Sequence, residues 1–290
     1  MRKKGWLIAA ASLVVAGLVV FAVVMTVLHW DFSRLSTDPY ETNTYEITEK
    51  FSKIDLHTET ADVLLAASDD GRCTVICDEQ ENVRHSVDVQ NGTLTVHAVD
   101  DRQWYEHIGI HLHSPKVTVY LPKADYASLA VKGSTGEIGI QNLSVGTVNI
   151  SVSTGEVIVS DVTCQGAMEA EITTGQMNVT NTACQSLLSR GSTGDISLKN
   201  VTVTGTLSIE RSTGDILFDR ADAAEIFMKT DTGNVAGSFC SEKVFITETS
   251  TGRVDVPKTV TGGRCEIKTS TGNIAVEIAD GNDSIEEPNI

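Results

Sequence analysis

Three histidines are the residues of this chain whose types and spacing most directly suggest chemistry. The stretch EHIGIHLHS places His107, His111 and His113 at odd positions, which share one face if the stretch is a β-strand. Histidines spaced in this way bind zinc when further nitrogen, sulfur or oxygen ligands complete the site. The alternative is that the intervening aliphatic residues face the core and the histidines face solvent. No second element with obvious ligands is identifiable, so we assign no metal-binding residue and leave this choice open.

Acidic residues that follow a repeated Thr-Gly pair form a second candidate site. Glu137, Glu156, Asp195 and Asp215 occupy this position in four repeats, and stacked carboxylates bind Ca²⁺ through their oxygens. The other four repeats carry Gln, Asn or Arg there, and the short Gly/Asp-rich repeats of calcium-binding β-rolls are absent. We therefore interpret the column as a solvated acidic edge.

The chain has six cysteines. Cys164 and Cys184 each follow a repeated Thr by ten residues, so they are expected to stack in neighbouring coils, at a spacing slightly wider than a relaxed disulfide prefers. Cys73 and Cys77 are roughly 13 Å apart if they lie on one strand, too far to pair with each other. Cys265 falls in an apolar column. The sequence favours small core residues and leaves a Cys164–Cys184 bond open.

No motif of a known catalytic class is present. The chain lacks a nucleophile elbow, a phosphate loop, a HExxH zinc site and a dinucleotide fingerprint. After the first thirty residues Trp104 is the only tryptophan, so the repeats offer no tryptophan platform for sugars. We predict no enzyme activity, no catalytic residue and no cofactor. A polysaccharide-active enzyme on a β-helix scaffold is the less favoured alternative.

The elements that would position these residues are revealed by the spacing of the Thr-Gly pair, which recurs every 19 or 20 residues. The threonines are Thr135, Thr154, Thr174, Thr193, Thr213, Thr232, Thr251 and Thr271. A period near twenty with β-rich flanks predicts a solenoid, in which each coil buries its apolar side chains against its neighbours. We expect the motif to be a corner, because glycine adopts positive φ without a Cβ clash.

Apolar and polar residues alternate at fixed distances from each threonine. The positions six before and three after it are apolar in all eight repeats, and the position three before is polar. Before the motif, residues at an even distance from the threonine therefore face inward, and after the motif residues at an odd distance do. A second corner is predicted seven residues after the threonine, at Asn142, Asp161, Asn181 and Asn200. This pattern ends at Arg220 and Phe239. An outward position five before the threonine holds Leu188, Phe227 and Ile246, which indicates either a contact patch or a bulge in the strand.

The first thirty residues form a separate segment. Arg2, Lys3 and Lys4 precede a run without formal charge from Gly5 to Leu28, roughly 36 Å long as a helix. A cleaved signal peptide usually has an apolar core of about 7–15 residues, so the run favours an uncleaved transmembrane helix. The preceding basic residues predict a cytoplasmic N-terminus and an extracytoplasmic remainder, with the protein located in the cell membrane as a single-pass protein.

The predicted architecture is all-β: a single-stranded β-solenoid of about eight coils with an irregular N-terminal β region, preceded by one transmembrane helix. Its boundaries are 1–30 for the basic stub and helix, 31–45 for a linker, 46–125 for the irregular region, 126–279 for the regular repeats and 280–290 for an acidic tail. The formal net charge of −17 excludes a nucleic-acid partner on electrostatic grounds.

A family resemblance follows from these motifs. The stretches FSKIDLHTETADVLLAAS and VTVYLPKADYASLAVKGSTGEIGI, together with the STGDI-type repeats, resemble the bacterial putative-adhesin β-strand-repeat family over residues 46–279. The resemblance implies a cell-envelope β-solenoid that acts by binding or scaffolding, without catalytic residues. Some members are similar to accessory proteins of envelope-stress systems, so a regulatory role is the alternative. The partner, a protein or a glycan, is left open.

Overall fold

The computed structural model describes residues 2–27, 29–30, 40–80, 83–100 and 114–279. The segment with His107, His111 and His113, the predicted acidic tail and residues 31–39 of the predicted linker lie outside these ranges. Side chains of the N-terminal helix are described at position 10 and from 12 to 27. Within what is described, no helix has the length and apolarity that a membrane crossing requires.

Within the described ranges, one helix precedes twenty strands. The helix is α1 (Arg2–Val27). The first seven strands are β1 (Tyr40–Ile47), β2 (Lys53–His57), β3 (Asp62–Ala67), β4 (Cys73–Gln80), β5 (Val83–Gln90), β6 (Thr93–Asp100) and β7 (Lys116–Leu121). The next eight are β8 (Asp125–Thr135), β9 (Ile138–Gln141), β10 (Ser144–Thr154), β11 (Val157–Ser160), β12 (Thr163–Thr174), β13 (Met177–Thr193), β14 (Ile196–Thr213) and β15 (Ile216–Thr232). The last five are β16 (Val235–Phe239), β17 (Lys243–Thr251), β18 (Val254–Asp255), β19 (Gly263–Thr271) and β20 (Ile274–Ile278).

The regular repeats form the predicted solenoid, and its strands pair in parallel from β8 to β15. The motif threonines pair layer by layer, as Thr154 does with Thr135 on one side and Thr174 on the other. The apolar columns face inward: Met168 and Leu187, for example, are fully buried and directly stacked. The core is thus one continuous apolar column along the stack.

A bulge explains why the repeat length alternates between 19 and 20 residues. Strands β10 and β12 pair with an offset of 19 at Val145 and Cys164, but with an offset of 20 at Val148 and Met168. The next pair of strands shows the reverse change at the same place. The two or three residues between these pairing segments therefore absorb the extra residue, and both corners stay aligned.

The second corner extends farther than the sequence pattern predicts. Asn142, Asp161, Asn181 and Asn200 all have φ between 49° and 55°, which confirms the predicted left-handed turn. Arg220 also has a φ of 50°, although the sequence indicated that the pattern ends there. Its backbone N–H donates to Ser238 Oγ at 3.0 Å and its Nε donates to Asn200 Oδ1 at 3.0 Å. These two bonds offset the conformational cost that a non-glycine residue incurs at this corner.

The Ser-Thr-Gly corner is built on close contact between glycines of successive layers. The eight corner glycines have φ between 126° and 156°. A Cβ placed on Gly214 would lie 2.2 Å from the carbonyl oxygen of Gly194, and one on Gly175 would lie 1.7 Å from that of Gly155. The Gly214 N–H donates to the carbonyl oxygen of Thr232 at 2.9 Å, so the ladder continues through the corner. Only glycine satisfies both the backbone angle and the contact.

The two C-terminal coils stack out of chain order. Strand β15 pairs with β19, and β19 pairs with β17, so the last coil lies between its two predecessors. We define the end layer as residues 243–262, which include β17 and β18. Three residues of this layer that the sequence columns place inside, Phe245, Val254 and Val256, are only half-buried or exposed. Among the described strands none covers their outer side, which is why the prediction fails for this layer.

A buried lysine connects the end layer to the coil two layers away. Lys243 is 2% exposed, and its Nζ donates to Asp222 Oδ1 and, at 2.8 Å, to the carbonyl oxygen of Ala223. Strand β19 lies between the strands of these residues, and its Gly263 pairs with Lys243. A Cβ on Gly263 would lie 2.2 Å from the carbonyl oxygen of Ala224, so this layer is pressed against β15. The absence of a side chain at Gly263 leaves room for Lys243 to reach Asp222.

The N-terminal end also departs from chain order. Strand β2 lies between β6 and β8, and β3 lies between β7 and β9. Strand β4 then pairs antiparallel with β7 and β1, and β5 pairs antiparallel with β6. We call β1, β4 and β5 the antiparallel cap. Residues 40–45, predicted to be linker, belong to strand β1, because its backbone completes the edge of β4.

A charged side chain in the core follows the predicted inward parity. Arg211 lies two residues before its motif threonine and is 1% exposed. Its Nη2 donates to Ser189 Oγ at 3.1 Å, and a Cβ on Gly191 would lie 2.0 Å from its Nη1. Burial lowers the pKa of Arg211 to about 10. The small residues Ser189 and Gly191 of the preceding layer therefore provide the space for the guanidinium.

The first prediction concerns the glycine corner. Gly214→Ala is expected to lower the free energy of unfolding by about 3–5 kcal/mol, because the new methyl group overlaps a backbone oxygen at a strained φ. The control is Gly71→Ala. Gly71 also has a positive φ (72°), but no atom lies within 4 Å of a Cβ added there. It is expected to cost about 1–2 kcal/mol. Urea unfolding of the full chain in mild detergent, followed by circular dichroism, measures both. Equal losses for the two variants would contradict the role of the close contact.

Candidate functional site

The acidic column next to the glycine corner serves the backbone of the neighbouring layer. Asp195 Oδ1 accepts the N–H of Asp215 at 2.8 Å, and Asp215 Oδ1 accepts the N–H of Asn234 at 2.7 Å. Asn234 Oδ1 accepts the N–H of Asn273 at 2.9 Å in the same way. Asp and Asn are interchangeable here because each offers one acceptor oxygen on a short side chain. The column faces solvent, and its side chains bond the backbone of the next layer, a structural role that the sequence did not predict.

Two earlier members of this column have different partners. The N–H of Glu137 donates to Asp62 Oδ1 at 2.8 Å, and Glu156 Oε1 accepts from Asn178 Nδ2 at 2.6 Å. Glu137 is thus bonded through its backbone, as in the rest of the column, whereas the longer side chain of Glu156 contacts the adjacent strand instead of the corner backbone. Among the described residues these carboxylates do not form a group of three metal-ligating side chains.

A second ladder of side chains runs along the Asn corner. Asn181 Nδ2 donates to Asp161 Oδ1 at 3.1 Å, and Asn200 Nδ2 donates to Asn181 Oδ1 at 3.0 Å. Arg220 extends the series through Asn200. Amide groups support such a ladder because each carries a donor and an acceptor. This surface is therefore occupied by contacts between layers.

The cysteines occupy their predicted positions, but the surroundings of one of them, Cys77, were not predicted. All six are free thiols; Cys240 is exposed and the other five are buried. Cys164 and Cys184 are direct partners in the ladder, as expected, and burial raises the pKa of Cys184 to about 12. Cys265 is fully buried in its predicted core column. Cys77, by contrast, has polar neighbours that the sequence analysis did not connect with it.

Cys77 belongs to a buried cluster with Glu79 and His85. One ligand atom from each residue, the cysteine Sγ, a carboxylate oxygen and a ring nitrogen, lies within 4.8 Å of the other two. Glu79 is fully buried and His85 is 4% exposed. Burial, with a smaller contribution from Glu79, raises the pKa of the Cys77 thiol to about 12. In the part of the chain that the structure describes, this is the one such group of metal-compatible side chains.

The strand pattern contains a signal for this cluster. Cys73, Val75 and Cys77 alternate inward on β4, and the same parity places Glu79 inside. On β5 the inward positions include His85, Val87 and Val89. A carboxylate and an imidazole thus stand in two columns of otherwise apolar residues. These strands do not repeat, so the periodicity of the Thr-Gly motif carries no information about them.

The end layer has four exposed aliphatic side chains, more than any other layer of the described solenoid. Ile246 and Val254 are 46% and 40% exposed, and Val260 is 90% exposed. The predicted patch of Leu188, Phe227 and Ile246 is not continuous, because Glu266 of the inserted coil pairs with both Phe227 and Ile246. Arg264 also covers Phe227, with its guanidinium carbon 5.5 Å from the ring centre. Exposed apolar surface is therefore concentrated at the end of the stack.

Similarity to solved structures agrees with this fold. The chain is similar to a putative adhesin from Bacteroides fragilis, at 16% identity and a TM-score of 0.54, over 83% of this chain and 99% of that one. It also matches a putative adhesin from Parabacteroides merdae at 13% identity and a TM-score of 0.28, over 84% and 98% of the two chains. A putative lipid binding protein from Parabacteroides distasonis matches at 16% identity and a TM-score of 0.28, over 84% and 98%.

The family comparison covers most of the chain. No curated protein matches it. The model of the Toastrack DUF4097 family matches residues 51–285, which include every strand from β2 onward. This extent supports the all-β repeat architecture, which the chain shares with the Bacteroides fragilis structure. The chain therefore belongs to the Toastrack DUF4097 family.

Proposed function

We propose that this protein is a membrane-anchored, extracytoplasmic solenoid that acts by binding or scaffolding at the cell envelope and does not catalyse a reaction. The uncharged run from Gly5 to Leu28 supports the anchor, and the basic residues before it support a cytoplasmic N-terminus. The membrane is thus its first partner. The names of similar structures, putative adhesins, are compatible with this role.

The observation that carries the binding proposal is the open edge of the end layer. Strand β17 pairs with β19 on one side, and no other described strand pairs with it. Its outward residues Val244 and Ile246 are exposed aliphatics, and Val254 on β18 is a further exposed aliphatic residue of the end layer. An unpaired strand edge with apolar side chains is a template for an added strand of another protein. A protein segment that adds a strand is therefore the partner class that this end fits best.

The position of this edge in the chain supports the proposal. The helix α1 precedes β1, which belongs to the antiparallel cap, whereas the end layer lies at the opposite end of the strand order. An anchor at one end of the stack and an open edge at the other suit a protein that presents a surface away from the membrane. The corner side chains between the two ends are occupied by ladder contacts, which favours binding over catalysis.

The orientation can be tested with a native thiol. Cys240 is exposed and the other five cysteines are buried, so a membrane-impermeant maleimide is expected to label Cys240 in intact spheroplasts after mild reduction. Labelling should reach the level seen after lysis, and Cys240→Ser should abolish it. A label that appears only after lysis would place the solenoid in the cytoplasm and contradict the proposed topology.

The binding surface can be tested by crosslinking in intact cells. A photoreactive amino acid at Ile246 or Val254 is expected to give discrete protein adducts on illumination. The matched control is Leu217, an aliphatic residue with 44% exposure on β15, which pairs with strands on both sides. Adduct masses are compared by electrophoresis and mass spectrometry. Adducts equally abundant at Leu217, or absent at both end-layer positions, would contradict the assigned surface.

A further inference from the structure

Three chemically reactive side chains meet inside the antiparallel cap, away from the end layer. Cys77 and Glu79 lie two residues apart on β4, so both point to its inner face. His85 lies on β5, which begins just after β4 and pairs with it at Gln80 and Val83. The three side chains are buried, and their ligand atoms lie within 4.8 Å of one another.

Hydrogen bonds fix two of these groups in place. Glu79 Oε1 accepts from Asn43 Nδ2 at 2.8 Å, which connects β4 with β1. Glu79 Oε2 accepts the backbone N–H of His85 at 2.6 Å and lies 2.8 Å from His85 Nδ1. The carboxylate therefore sets both the position of the β5 backbone and the orientation of the imidazole ring.

One polar atom in this cluster has no partner. His85 Nε2 is buried and forms no hydrogen bond with any described residue. A simple Glu79–His85 pair accounts for Nδ1 but leaves Nε2 unsatisfied in the core, which carries a desolvation cost. An ion bound by the Glu79 carboxylate would bind His85 through Nδ1, the nitrogen that faces Glu79, so Nε2 is not one of the ligand atoms.

We propose that Cys77 Sγ, a carboxylate oxygen of Glu79 and His85 Nδ1 bind a zinc ion that closes the antiparallel cap. The mixed sulfur, nitrogen and oxygen donors suit zinc, whereas calcium and magnesium prefer oxygen ligands alone. Three protein ligands leave a fourth position for a water molecule or another donor. The ion would join β4 to β5, at the end of the solenoid where the core has no further parallel coil. This site differs from the one that the sequence suggests at His107, His111 and His113.

The test uses the full chain in detergent, reduced, treated with a chelator and then titrated with zinc alone. We expect one zinc ion per chain and a higher melting temperature. Replacing zinc with cobalt should give the near-ultraviolet absorption band of a thiolate–cobalt bond. This band shows that a thiolate binds the ion in the unmodified chain; its retention in Cys73→Ser and Cys240→Ser and its loss in Cys77→Ser assign it to Cys77.

Matched variants separate a ligand from a buried residue. Cys77→Ser and His85→Gln should weaken zinc binding at least 100-fold. Cys73→Ser changes a buried cysteine on the same face of β4, outside the cluster, and should leave zinc binding unchanged. A chain with all three of His107, His111 and His113 replaced by alanine should also retain its zinc. The proposal is overturned if the unmodified chain binds no zinc, if cobalt gives no thiolate band, or if His85→Gln binds zinc as tightly as Cys73→Ser.

Discussion

The contact between glycine corners is the constraint on which the rest of the solenoid depends. A Cβ on any of the eight corner glycines would lie 1.7–2.5 Å from a backbone carbonyl oxygen of the adjacent layer. The same residues adopt positive φ and reverse which positions point inward. Because the corners of successive coils pair in register, the apolar columns stack and the parallel ladders remain continuous. The Asp and Asn side chains after the glycine reinforce this alignment through the backbone of the next layer.

The two ends of the stack are built differently from the regular coils, because a repeating coil contains nothing that ends the stack. At each end one coil is inserted between two others, and the outermost layer differs from the regular pattern. The N-terminal end continues into antiparallel strands whose core contains Cys77, Glu79 and His85. The C-terminal end retains exposed aliphatic side chains and an edge strand, held to the stack in part by Lys243. This asymmetry is the basis for assigning the anchor and the binding surface to opposite ends.

Much of the regular region could be predicted from the sequence because each coil repeats the same local rule. The parity of inward positions correctly places Met168 and even Arg211 in the core. The order of the last coils could not be predicted, since every coil carries the same pattern and periodicity does not specify which coil pairs with which. That order depends on single long-range contacts, such as Lys243 with Asp222 past Gly263. The buried cluster was missed for a related reason: its members lie on irregular strands that do not repeat.

The central claim, that each 19–20-residue repeat is one structural layer, is tested most directly by deleting chain in and out of phase. Removal of residues 193–212 joins Ser192 to Thr213 and takes out one whole coil, including one glycine corner and one bulge. Removal of residues 193–202 joins Ser192 to Val203 and shifts the following columns out of register. Cooperative unfolding of both full-length variants in detergent is followed by circular dichroism. The account predicts that the 20-residue deletion unfolds cooperatively with moderately reduced stability, as nearest-neighbour stacking implies, whereas the smaller deletion does not fold. Equal stability of the two variants would contradict it.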